Sequence, residues 1–175
     1  MSFLSGTAKV VHSSKLPSKT TREQAVAMLN DHEFFLHCDP HMAKFEPVPH
    51  TDDTSASLPL PDTVKARPGT ATESFRVTDI VDSIPSGVWG RNVVSTYEFT
   101  DTETGLFVRI KSPLAIVMDT IWEIKQVEDG EGLELVEDVT INCSRLLVGL
   151  VKSQCENGWA KIHAKMIGRL EEASQ

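Results

Sequence analysis

From Thr72 onward the apolar residues recur at every second position, and after Ser144 they recur at every third or fourth. That change of period divides the second half of the chain into a run of strands followed by one long helix. Phe75, Val77, Asp79 and Val81 alternate with Arg76, Thr78, Ile80 and Asp82, and a turn is predicted over residues 83–87. The next strand covers 89–100, with Val93, Ser95, Tyr97 and Phe99 on one side. A third spans 106–112, with Leu106, Val108 and Ile110 facing one way and Phe107, Arg109 and Lys111 the other. A fourth runs over 115–127 and a fifth over 133–143, joined through Gly130 and Gly132. Short turns between successive strands imply an antiparallel meander. The helix is predicted over 144–170, capped by Ser144, with Leu147, Val151, Cys155, Trp159, Ile162, Met166 and Leu170 as its apolar stripe.

The first half is patterned more weakly. Phe3, Ala8 and Val10 predict a strand within residues 2–12, and 15–18 form a turn. Polar residues at 18–21 cap a short helix over 22–30, and Asp31 caps a second over 32–38 that contains Phe35 and His37 and ends at Pro40. Residues 46–70 differ in kind. Pro47, Pro49, Pro59, Pro61 and Pro68 interrupt a run of Thr, Ser and Asp, which predicts a long inserted loop, partly mobile, serving as a lid or as plain insertion.

A chain of 175 residues has the length of one domain, 1–175, and can bury a core without disulfides or metal. Its net charge of −8 excludes non-specific nucleic-acid binding and disfavours anionic lipid surfaces, but leaves an apolar small molecule open as partner. No apolar run approaches the length of a membrane span. The N-terminus lacks the apolar core of a signal peptide, and the cysteines at 38, 143 and 155 show no paired spacing, so reduced thiols and a cytoplasmic location are expected. Oligomeric state is left open.

The element order, together with particular segments, resembles a known plan. The segments are Asp31-His32-Glu33-Phe34-Phe35, His37-Cys38-Asp39-Pro40-His41, Val94-Ser95-Thr96-Tyr97-Glu98-Phe99 and Gly105-Leu106-Phe107-Val108-Arg109. They continue with Leu133-Glu134-Leu135-Val136-Glu137-Asp138, Cys143-Ser144-Arg145-Leu146-Leu147-Val148-Gly149, Gly158-Trp159 and Ile162-His163. On these the chain resembles a fungal family of small proteins built on a domain of unknown function. That family lies within the START and birch-pollen-allergen (helix-grip) superfamily. The resemblance implies an α+β fold in which a curved antiparallel sheet wraps a long C-terminal helix, with two short helices closing one end. It also implies a hydrophobic cavity between sheet and helix. Superfamily members bind lipids, sterols or plant hormones, and some cyclise or dehydrate polyketides.

Within such a cavity the inward carboxylates carry the chemistry. Glu137 shares a strand face with Leu133, Leu135, Val139, Ile141 and Cys143, and Asp79 lies between Val77 and Val81. Facing inward, each acquires a raised pKa suited to a general acid or base; alternatively, each sits at the rim, or Glu137 pairs with a cation such as Arg109. Tyr97 offers a hydroxyl to a ligand carbonyl or is simply core. Trp122, Trp159, Phe35, Ile162, Cys155 and Arg109 are candidate ligand contacts, with Cys155 an inert buried thiol rather than a nucleophile. His32, His37, Asp39 and His41 are close in sequence, but their spacing matches no metal-ligand pattern, so no metal is expected; a histidine such as His37 at the cavity mouth is the alternative. Gly158 in the helix allows close approach of sheet or ligand, or a kink. No nucleotide-binding or hydrolase motif occurs, and no cofactor is expected. Three readings follow: a binder of a lipid, polyketide or terpenoid-like molecule; a cofactor-independent cyclase, dehydratase or isomerase of fungal specialised metabolism; and a protein-interaction module.

Overall fold

The computed structural model describes residues 4–49, 58–81, 92–128 and 130–173. Seven strands form one antiparallel sheet: β1 (Ser5–Lys15), β2 (Met42–Pro47), β3 (Glu73–Ile80), β4 (Asn92–Asp101), β5 (Gly105–Ser112), β6 (Ile116–Gln126) and β7 (Leu133–Ser144). Their spatial order is β1-β7-β6-β5-β4-β3-β2. Helices α1 (Arg22–Leu29) and α2 (His32–Cys38) link β1 to β2, and α3 (Val148–Ala173) follows β7.

Local chemistry accounts for the helix starts. Thr21 Oγ accepts from the Gln24 amide while Gln24 Oε1 accepts from the Thr21 amide, a reciprocal capping box for α1. Asp31 Oδ1 accepts from the Phe34 amide and caps α2. Ser144, expected to cap the last helix, instead ends β7, paired with Ser5. Its hydroxyl accepts from the Leu146 amide in a turn, and α3 begins at Val148, with the Leu147 carbonyl accepting from Val151.

Two other expectations change. Residues 42–45, to which no element was assigned, and the first two residues of the expected 46–70 loop form β2, which pairs with β3 at the sheet edge, where Pro47 sits at the strand end. Residues 58–72 then lie against other parts of the chain: Arg67 donates its amide to the Asp101 carbonyl, and Ala66 bridges Thr102. Ala115, expected within a strand, lies with Leu114 in the β5–β6 turn, both in the left-handed region at φ 55° and 61°. The predicted turn at 83–87, the strand start at 89–91 and loop residues 50–57 lie outside the described residues.

The inward phases of the strands bury two clusters. The larger holds Phe75, Tyr97, Phe99, Leu106, Trp122, Ile124 and Leu135, with α1, α2 and the C-terminal turns of α3 packed on it. Rings meet edge to face, Phe35 on Phe99 and on Trp122, and Phe75 on Phe99. The smaller holds Val10, Ile116, Val139, Ile141, Cys143 and Val151, at the N-terminal end of α3. Gly105 lets β5 close on β6, since a Cβ there would overlap the Trp122 carbonyl, and this sets the position of the indole that follows. No helix among the described residues is long and apolar enough to cross a membrane.

Candidate functional site

Between the two clusters α3 reaches the sheet through a few side chains, Trp159 on His12 and Cys155 on Met118, and the space beside them is unfilled. Sheet and helix enclose a cavity of about 230 Å³, with a second of about 80 Å³ beside it. Asp39, Tyr97, Ile110, Thr120, Glu137 and Ile162 are walls of both. Period-two alternation brings Asp79, Val93, Ser95, Tyr97, Ile110, Ser112, Ile116, Met118, Glu137 and Val139 to the concave face, and helical spacing brings Val151, Cys155, Gly158, Trp159 and Ile162 down from α3. Nothing lies within 4 Å of a Cβ built on Gly158, so its missing side chain leaves cavity space rather than room for the sheet.

Two polar poles interrupt the apolar lining. At one, Tyr97 donates to Asp79 Oδ2 over 3.4 Å, while Asp79 Oδ1 is buried with no hydrogen-bond partner. Burial pushes the Asp79 carboxyl up to about 6, helped by nearby Asp39 and opposed by the Tyr97 hydrogen bond and by His41. Burial and the Asp79 charge hold the Tyr97 phenol well above its usual range, so it is a donor and not a phenolate.

At the other pole Glu137 is not partnered by Arg109. His12 Nδ1, from the facing position on β1, lies 3.0 Å from Glu137 Oε2, one hydrogen bond whose proton sits on either partner. The His12 ring stacks on Trp159 at 4.7 Å. Behind them His163 is 1% exposed; its Nδ1 meets Ser14 Oγ at 2.8 Å and its Nε2 lies 3.8 Å from Glu137 Oε2, without a hydrogen bond. Burial raises Glu137, with His12 opposing, and pushes His163 down to about 4, so His163 is a neutral imidazole at neutral pH.

The remaining candidates divide by location. Trp159, Cys155 and Ile162 line the larger cavity, and Phe35 and Trp122 the smaller. Cys155 Sγ lies 3.9 Å from Met118 Sδ, and burial pushes its thiol up to about 12. Arg109 and His37 lie outside the cavity. Arg109 follows the outward phase of β5, gripping both oxygens of Asp119 at 2.7 and 2.9 Å and donating to the Leu58 and Pro59 carbonyls. His37 is exposed, its ring edge-on to Phe45. His32 contacts Glu73 and Asp101 rather than its sequence neighbours, while Asp39 and His41 border the cavity. Among the described residues no cluster of three potential metal ligands forms.

His12, Ser14 and His163 stand behind Glu137 without lining either cavity; sequence reasoning gave none of them to Glu137, and only His163 was named, in the family segment. The signal was present: His12 and Ser14 continue the inward phase of Ala8 and Val10, and His163 follows Trp159 by four positions.

No curated protein matches the chain. Solved structures share its fold at low identity. The Zhui aromatase/cyclase from Streptomyces sp. R1128 is 12% identical, with a TM-score of 0.61 over 98% of this chain and 96% of that one. The di-domain aromatase/cyclase StfQ of the steffimycin pathway is 9% identical, with a TM-score of 0.65 over 96% of this chain and 52% of that one. Ara h 8.0201 is 12% identical, with a TM-score of 0.52 over 95% and 99%. These likenesses establish the helix-grip fold. The family model described as "Domain of unknown function (DUF7053)" matches residues 5–172, and the chain belongs to that family.

Proposed function

We propose that this protein binds an apolar small molecule, of lipid, polyketide or terpenoid-like character, in the cavity between the sheet and α3. The observation that carries this reading is the cavity itself: about 230 Å³, walled by aliphatic and aromatic side chains, with a few polar groups at fixed places. A core built only for stability fills such space, because unfilled volume is destabilising. The free thiols Cys38, Cys143 and Cys155 fit a reducing, cytoplasmic setting.

The test is direct binding. Native mass spectrometry of protein purified from its own host, followed by denaturation, identifies any co-purifying molecule. In parallel, the neutral dye N-phenyl-1-naphthylamine is titrated and then displaced by a panel of lipids and polyketides. A stoichiometric apolar companion, or saturable dye binding that the panel competes away, supports the reading. Protein that is bare and also refuses dye and panel overturns it, and favours a protein-interaction module.

A second reading is favoured by one specific observation, a cavity-wall carboxylate, Glu137, backed by His12. In a cofactor-independent cyclase, dehydratase or isomerase, Glu137 takes a proton from carbon beside a ligand carbonyl. Tyr97, backed by Asp79, donates to the carbonyl oxygen, and the wall holds the reactive conformer. The aromatase/cyclase neighbours support this choice of chemistry. Glu137→Gln tests this reading: it abolishes turnover of an identified substrate if Glu137 is the base, and unchanged turnover removes Glu137 from the mechanism.

A further inference from the structure

Among the described residues, every side chain of formal charge that lines the two cavities is a carboxylate: Asp39, Asp79 and Glu137. Among those described residues no lysine or arginine lines either one, and His41 is the single imidazole on the wall. The three carboxylates are not equivalent. Glu137 has His12 at 3.0 Å. Asp39 accepts the His41 amide at 2.8 Å. Asp79, only 9% exposed, receives one long hydrogen bond from Tyr97, and its second oxygen is buried without a donor. A buried acceptor left unmet is destabilising, more so when it carries charge. Asp79 stands on the inward phase of β3 with Phe75 and Val77, beside the α2–β2 link, so that its open side is the cavity.

The group that completes this pole brings N–H donors and positive charge. An ammonium supplies both to the Asp79 carboxylate on the cavity wall and is attracted by Asp39 close by. A carboxylate or phosphate on the ligand meets the reverse: like charge in a site of low dielectric with no cation to receive it. We infer that the cavity takes an apolar amine, its ammonium on Asp79 beside Tyr97 and its hydrocarbon body against Trp159 and Ile162, and that it rejects fatty acids and other anionic lipids. The inference rests on the cavity being a ligand site.

The experiment uses three probes of one body and different heads: 4-phenylbutylamine, 4-phenylbutan-1-ol and 4-phenylbutanoate. Each is titrated calorimetrically into the intact protein at neutral pH and low salt, with N-phenyl-1-naphthylamine as a neutral reference. The amine is expected to bind at least about tenfold more tightly than the carboxylate, with the alcohol between. In Asp79→Asn, which keeps an acceptor for Tyr97, the ratio of amine to alcohol affinity falls to within about threefold. The wild-type ranking is a test by itself if that variant fails to fold. Reference binding with no preference for the amine, or a preference unchanged in Asp79→Asn, overturns the inference and leaves the cavity reading standing. If neither the three probes nor the dye binds, the cavity reading falls and the inference with it.

Discussion

Replacing Asp79 with asparagine isolates the energetics of the partly unmet carboxylate. The unfolded chain holds this carboxyl near its ordinary value of 3.8, while burial in the fold pushes it up to about 6. An acid with a raised folded-state pKa favours folding while protonated. Its contribution is fully present below about 4 and is lost as pH rises through about 6, because above that the fold must bury a charge that the unfolded chain leaves in water. At about 1.36 kcal/mol per pH unit of separation, the loss is about 3 kcal/mol. Asp79→Asn cannot ionise and escapes that loss. Any penalty for its half-satisfied amide is the same at every pH, so the pH dependence is the signal. Urea denaturation of both proteins from pH 4 to pH 7 reads it. The variant is expected to gain about 3 kcal/mol on wild type across that interval and then level off, seen in melting as about 6–12 °C for a chain of this size. A stability difference that is constant from pH 4 to pH 7 refutes the reasoning, since it means that the Asp79 carboxylate is solvated in the folded state.

Other perturbations have different signatures. His163, pushed down to about 4 by burial and by His12, contributes stability that is present above about 6.5 and lost as pH falls toward 4, about 3 kcal/mol in all. His163→Gln is therefore expected to gain on wild type as the solution is acidified, the opposite direction to Asp79→Asn, and denaturation at pH 7 and pH 4.5 checks it. Arg109→Met removes the side chain that joins Asp119 to the Leu58 and Pro59 carbonyls. It should cost about 2 kcal/mol and speed tryptic cleavage at Lys65, while affinity for the neutral dye stays constant because Arg109 lies on the face away from the cavity.

Much of the architecture was legible because its causes are local. The alternation through Phe75, Val77 and Asp79, and through Leu133, Leu135 and Glu137, fixes which side chains face inward, and the caps at Thr21 and Asp31 lie within three residues of the amides they serve. What escaped depends on distant partners. β2 shows no clean alternation because its register shifts between Met42 and Lys44, and only its pairing with β3 identifies it. Ser144 looks like a cap until Ser5, at the far end of the chain, draws it into the sheet. Glu137 was visible as an odd carboxylate, but its partner could not be chosen from sequence. Arg109 was one cation that could be named, whereas the register across 125 positions delivers His12.

That register also has a consequence for the order of assembly. β1 pairs along its whole length with β7, so the first of the seven strands in chain order hydrogen-bonds to the last. Contacts between such distant positions form slowly, since most of the loop entropy between them must be lost first. As the chain leaves the ribosome, the β2–β6 meander can pair successively while β1 waits without its neighbour. The Glu137–His12 pair joins those two strands, so one pole of the cavity comes into existence only when the sheet is complete. A chain arrested before β7 lacks that pole, and its unpaired β1 is an open edge available to other chains.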